Sequence, residues 1–269
     1  MTNLESFIKK EINLNDKEVF PIDFEKKRYW VKKARVTNSS KMHKLFYFLF
    51  NIDILLPVSY KTSEESILFE TNKIRKLQNV GVLVPNIIYQ DKYNFVLEDC
   101  GETIYSYLRK SDITEDKFYY FINKILEQLA IIHNANYFHG GTQSRNFTYK
   151  DKRVYVIDFE ESFDADIDIK TLQFRDLLLF VLSLTKIKAN FEIDYKLIIN
   201  KYISLTQNNS FRDKLKRFIN QISFFIMISK INFIYNKMGT DLKSFFSLIE
   251  ILKTLDIIDI NKNRNRNVI

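Results

Sequence analysis

The sequence predicts an α+β chain in two lobes, and three observations carry that expectation. Residues 1 to about 99 alternate short β-branched and aromatic segments with helical patterns. From about 103 to 258 the apolar residues recur at helical spacing, interrupted by one hairpin. The composition is globular, with 46% hydrophobic and 15% aromatic residues but only 5 Gly and 3 Pro in 269, which excludes collagen-like, linker-like and disordered chains. We expect a small mixed strand and helix lobe at 15–98, a mainly helical lobe at 102–258 and a basic disordered tail at 259–269.

The elements follow in order. Tyr29-Trp30-Val31 followed by Lys32-Lys33 reads as a strand ending in cations. Ile67, Ile74 and Leu77 recur at helical spacing from Ser63, and Asn79-Val80-Gly81 should stop that helix. Pro85 opens an extended stretch over Asn86–Gln90, and a turn at Asp91–Asn94 returns it through Phe95-Val96-Leu97 as an antiparallel pair. Gly101 closes this unit. Ser106-Tyr107-Leu108 lies on a short helix. A long helix from Thr114 to about His133 carries a core stripe of Phe118, Phe121, Ile122, Ile125, Leu129 and Ile132. Asn136 is suited to positive φ just beyond it. Phe147-Thr148-Tyr149 and Arg153–Ile157 form a hairpin, with helices at about 171–186, 195–206, 210–235 and 240–255.

Several classes are excluded early. Cys100 is the single cysteine, so neither a disulfide scaffold nor a Cys-based zinc site is available, and a reducing compartment fits. The opening MTNLESFIKKEINL has charges where a signal peptide needs its apolar stretch, and no apolar run approaches the ~18 residues that span a bilayer. The net charge of +8 is spread through interspersed Lys and Glu, the pattern of a solubilising surface. Only Lys262, Arg264 and Arg266 form a free basic arm. Without a nucleic-acid motif or an aromatic and basic ladder, no nucleic-acid partner is expected.

The densest chemical signal runs from Phe138-His139-Gly140-Gly141 through Gln143, Arg145 and Asn146 to Val156-Ile157-Asp158-Phe159-Glu160-Glu161. A polar loop ends in Asn146, and a hairpin then delivers Asp158 at the end of an apolar strand. Asn and Asp offer hard oxygen ligands of the kind Mg²⁺ takes beside nucleotide phosphates. Glu70 sits on the apolar stripe of its helix, where a carboxylate is costly unless a cation meets it. Its partner is Lys32 or Lys33, which strand alternation puts on opposite faces, or else the carboxylate snorkels to the helix edge beside Lys73 or Lys76.

This arrangement resembles the protein-kinase-like superfamily, in which H-x-D-x-x-x-x-N precedes D-F-G. His139, Asn146 and Asp158 match the His, the Asn and the metal-binding Asp, while Gly141 stands where the catalytic Asp belongs. Phe174-Arg175-Asp176-Leu177 resembles the later helix whose Asp braces the catalytic loop. Among kinase-like families the chain is most similar to the lipopolysaccharide (Kdo/WaaP) kinases. The likeness lies in the Y-x-V-K strand, Gly81-Val82-Leu83-Val84-Pro85, the I-D-F-E strand end and Gly239-Thr240-Asp241-Leu242. The resemblance implies ATP and Mg²⁺ as cofactors, with Lys32 on the α/β-phosphates, Glu70 orienting it, Asn146 and Asp158 on the metal, and backbone groups of Glu98 to Cys100 receiving adenine. It implies a sugar or lipid-linked saccharide acceptor at the cytoplasmic membrane face.

Two departures from the family pattern define the alternative. There is no Gly before Gly81, so the turn near Asp23–Lys27 must serve in place of a Gly-rich loop. Gly141 leaves no evident carboxylate for the acceptor's proton; His139, Gln143 or Glu160 could orient an acceptor, and Arg145 could balance charge on the transferring group. A pseudokinase without turnover is the rival reading. The apolar, base-flanked run Leu45–Phe50 is either a helix packed inside the small lobe, which we favour, or a peripheral membrane contact.

Overall fold

The structure, a computed structural model, describes residues 3–37, 56–208, 210–229, 247–248 and 250–252. The run at Leu45–Phe50, the motif at 239–242 and the tail at 259–269 lie outside the described residues, as does most of the helix expected at 240–255.

Helix α1 (Asn3–Leu14) leads into strands β1 (Val19–Phe24) and β2 (Lys27–Lys33). The two strands pair antiparallel, from Val19 opposite Lys32 to Phe24 opposite Lys27. The two-residue turn between them has Glu25 and Lys26 both at positive φ, 47° and 63°. This is the primed geometry that matches strand twist, achieved here without the usual Asn-Gly. Alternation along β2 sends Tyr29 and Val31 to one face, where they meet Ile8 and Ile12 of α1 with Phe20 and Ile22. Lys33 follows them and donates from Nζ to the Ile12 and Asn15 carbonyls, satisfying the open C-terminal end of α1. Helix α1 therefore packs as one unit with the strands, ahead of the boundary expected at residue 15.

Helix α2 (Ser63–Asn79) opens on a capping box, with Thr62 Oγ1 accepting from the Glu65 amide and the Glu65 carboxylate accepting from Thr62 N. It ends at Val80, followed by Gly81 at φ 88°. Strands β3 (Ile87–Gln90) and β4 (Asn94–Glu98) complete a four-stranded antiparallel sheet in the order β1-β2-β4-β3. A second sheet, in the order β5-β6-β7, is built from β5 (Glu102–Thr103), β6 (Phe147–Lys150) and β7 (Arg153–Val156).

Helix α3 (Ile104–Leu108) is short; α4 (Glu115–Asn134) is capped by Thr114 and buries the whole stripe expected from its sequence. Asn136 adopts φ 58° just beyond α4. Helices α5 (Ile169–Leu184), α6 (Tyr195–Thr206) and α7 (Ser210–Ser229) follow. One continuous apolar cluster runs from Ile67, Ile74 and Phe95 through α4 to Phe147, Val156, Phe159 and α5. It joins α2 to the second sheet and fixes where the ends of β2 and β7 meet.

Candidate active site

Three segments far apart in sequence converge on Lys32. On β2 its side chain leaves the face opposite Val31, and Nζ lies 2.8 Å from Glu70 Oε1 on α2 and 2.7 Å from Asp158 Oδ1 beyond β7. Glu160 Oε2 is 3.5 Å away and is itself held by Arg35. Burial opposes the charge on Lys32, but Glu70, Asp158 and Glu160 outweigh it and raise its pKa. Burial likewise raises the Glu70 carboxyl against the pull of Lys32, and Glu70 Oε1 also accepts from the Phe159 amide at 3.3 Å. For Asp158 the balance reverses: burial alone would raise it, yet Lys32 holds it low. Asp158 sits at φ 69°, a left-handed conformation uncommon outside Gly and Asn/Asp, which swings its carboxylate off the strand into the cavity.

The loop between α4 and β6 is pinned from behind by Asp176 of α5. Its carboxylate accepts the amides of His139 at 2.6 Å and Gly140 at 2.8 Å, and meets His133 Nε2 at 3.2 Å. Burial would raise Asp176, but His133 and these amides pull it down to about 2. Arg175 donates to the Gly140 carbonyl from the same helix. Asn146 ends the loop in a single 3₁₀ turn; its Nδ2 donates to the Gly141 carbonyl at 2.7 Å, and its own carbonyl accepts from Ile157 N at 3.0 Å. That last bond ties Asn146 to the residue before Asp158.

A cavity of about 390 Å³ is walled by Trp30, Lys32, Glu70, Leu97, Glu98, Cys100, Asn146 and Asp158, among others. Among the described residues no group of three or more Asp, Glu, His or Cys side chains could hold a metal by itself, so Asp158 and Asn146 are the hard oxygen donors this wall offers a divalent cation. At the other end, the amides of Glu98 and Asp99 are spent on the Asn86 and Arg28 carbonyls, so of the three amides expected to face a purine only that of Cys100 is left.

No family model matches the chain. An uncharacterized protein of Haemophilus influenzae is 27% identical over 171 residues, 64% of each chain. The EKC/KEOPS complex subunit BUD32 of Enterocytozoon bieneusi is 29% identical over 139 residues, 47% of this chain and 66% of that protein. Both alignments thus span a little under two thirds of the curated relative. Among solved structures, WaaP in complex with acyl carrier protein superposes with a TM-score of 0.51 at 12% identity, over 80% of this chain and 88% of that one. The chain has a protein-kinase-like fold.

Within that fold the expected site residues divide. Lys32, Glu70, Glu98, Cys100, Asn146 and Asp158 share one cavity; His139, Gln143 and Arg145 do not line it. His139 is fully buried against Phe159 and Phe147, its Nδ1 accepting from Gly141 N at 3.3 Å. Its Nε2 is buried without a hydrogen-bond partner among the described residues, and burial lowers its pKa to about 4. It is placed to support the loop from inside. Gln143 precedes the 3₁₀ turn without capping it, and Arg145 is exposed. Two residues escaped the sequence reading. Lys73 is buried, donates to the His139 carbonyl at 2.8 Å and lies 4.0 Å from the Phe138 ring centroid. Glu161 faces Gly141: a Cβ built there would stand 3.3 Å from Glu161 Oε1. Polar residues on a helix stripe and paired acids after a strand gave a signal for both, but not a direction.

Proposed function

We propose that the chain is an ATP- and Mg²⁺-dependent phosphotransferase, built as two lobes at about 15–98 and 102–258 around the cavity, that transfers the γ-phosphoryl group to a sugar hydroxyl. The observation that carries this reading is the convergence of Lys32, Glu70, Asp158 and Asn146 on one cavity wall. Lys32 would hold the α/β-phosphates and Glu70 would keep it oriented, since the carboxylate is buried and, among the described residues, forms an ion pair with Lys32 alone. Asn146 and Asp158 would hold Mg²⁺, which when bound neutralises phosphate charge. The Glu98 carbonyl and Cys100 amide would receive the adenine edge, with the apolar walls at Trp30 and Leu97 excluding water around it. The volume is that of a small-molecule site.

The sugar acceptor rests on the likeness to WaaP and on the shared motifs, and a lipid-linked saccharide reached at the cytoplasmic face of a membrane extends the same proposal. Among the described residues no helix is long and apolar enough to cross a membrane. One observation favours the second reading, a pseudokinase: Gly141 carries no carboxylate. Thermal unfolding with ATP and Mg²⁺ tests the first step. We expect a rise in melting temperature that Lys32→Ala and Asp158→Ala abolish. A phosphate-release assay then separates the two readings, since binding without release supports the pseudokinase.

A further inference from the structure

We infer that Glu161 supplies the carboxylate that Gly141 lacks, with Oε1 accepting the proton of the attacking hydroxyl. The inference rests on the phosphotransferase reading and names the base for it. Gly141 has no side chain, but the space beside its Cα is occupied from the other side. A Cβ there would meet Glu161 Oε1 at 3.3 Å and Glu161 Cδ at 3.5 Å, with Asn146 Nδ2 at 3.8 Å. The carboxylate is thus delivered from the segment after Asp158 to the place a side chain at 141 would reach, next to the Asn146 amide.

The two oxygens of Glu161 are differently placed. Oε2 is buried in an ion pair, 3.1 Å from Arg175 Nη1 without hydrogen-bond geometry, and the same guanidinium donates to the Gly140 carbonyl. Oε1 takes no hydrogen bond from the described residues. Arg175 therefore holds one oxygen and the backbone of the loop together, leaving the other oxygen at the space beside Gly141, next to Asn146, which lines the cavity. The Lys73 ammonium, 3.4 Å from the Glu161 carbonyl, fixes the backbone of the same residue from α2. Glu160 cannot do this work, because Arg35 and Lys32 hold both of its oxygens. Neither can His139, which is enclosed.

In the transfer, the acceptor oxygen bonds to the γ-phosphorus while the bond from that phosphorus to the β,γ-bridging oxygen breaks. The bonding pair leaves on ADP, and the hydroxyl proton passes to Glu161 Oε1. Water serves as the simplest acceptor.

The test combines Mg·ATP binding, read by thermal unfolding, with phosphate release from Mg·ATP to water. Glu161→Gln should keep its melting temperature and its Mg·ATP-induced shift while losing phosphate release about 10²-fold, the size of a general-base contribution. Gly141 does not have positive φ, so a side chain is compatible with its backbone. Adding Gly141→Asp to Glu161→Ala, which clears the space the longer side chain fills, should recover about tenfold of the loss by returning a carboxylate there; Gly141→Ala in that background should not. Unchanged release in Glu161→Gln overturns the assignment while leaving the phosphotransferase reading intact, and so does loss of Mg·ATP binding in that variant, which marks a structural ion pair. A native protein that binds Mg·ATP without releasing phosphate overturns it as well, and one that does not bind overturns the phosphotransferase reading itself.

Discussion

Asp176 is the residue on which the loop geometry depends, because it is buried, charged and satisfied by two amides and a histidine. Its carboxyl is held at about 2, below the ordinary 3.8. A lowered carboxyl contributes stability that is complete above about pH 4 and is lost as pH falls through about 2, because the unfolded chain binds the proton first. Asp176→Asn should cost about 2–3 kcal/mol in urea unfolding at pH 7, the worth of hydrogen bonds to a charged group, and should flatten the loss of stability between pH 4 and 2. Lys73 has the same sign of pH dependence for a different reason, because here folding disfavours the charged form. Burial brings its ammonium down to about 7, against the pull of Asp176 and Glu161. Between about pH 7 and 10.5 the unfolded chain holds more protons than the folded one, so this group makes stability climb with pH. Urea unfolding at pH 7 and pH 9 should show the increase, and Lys73→Met should remove its share.

Among the elements, the β1–β2 hairpin stands where a Gly-rich loop is expected, and its turn is built from Glu25 and Lys26 at positive φ. A left-handed conformation costs a side-chain-bearing residue about 1 kcal/mol relative to Gly. Lys26→Gly should therefore stabilise the hairpin by about that amount in thermal or urea unfolding, despite the extra entropy of Gly in the unfolded chain. The same geometry recurs at Asp151 and Lys152 between β6 and β7, at φ 50° and 61°. The β6–β7 hairpin and the turn near Asp23–Lys27 were expected at about the right place, but the turn type was not, since neither turn contains Asn-Gly. Helix α1 and strand β1 escaped for a different reason. Twelve residues are marginal as an isolated helix. What holds α1 is contact with β2 and the Lys33 ammonium at its end, neither visible along the chain.

On the scale of the whole molecule, the cavity is closed by contacts spanning most of the sequence. Lys32 and Asp158 are 126 positions apart, and Ser59 N donates to the Ser162 carbonyl while Lys61 Nζ donates to Ser162 Oγ, tying the segment before α2 to the one after Asp158. A ligand bound across such a cavity stabilises only the folded state. Mg·ATP at 100 times its dissociation constant should add about 2.7 kcal/mol, and Lys32→Ala should abolish this increment whatever its own effect on baseline stability. Calorimetric or urea unfolding with and without nucleotide measures it.

That Glu70 needs a cation was legible from a carboxylate on an apolar stripe, while the choice of Lys32 over Lys33 came from the resemblance of the Y-x-V-K strand. Asp176 was marked by the resemblance of Phe174-Arg175-Asp176-Leu177 to a helix whose Asp braces the loop. Local periodicity sufficed for α2, α4, α5 and the two hairpins, since each shows its own buried face. Which side chains actually reach the cavity was decided only by the tertiary structure. His139 is drawn inward by the aromatic rings of Phe147 and Phe159, and Glu161 is turned toward Gly141 by Arg175 on a helix that follows it. Direction of that kind depends on what packs behind a residue, and no spacing along a single chain encodes it.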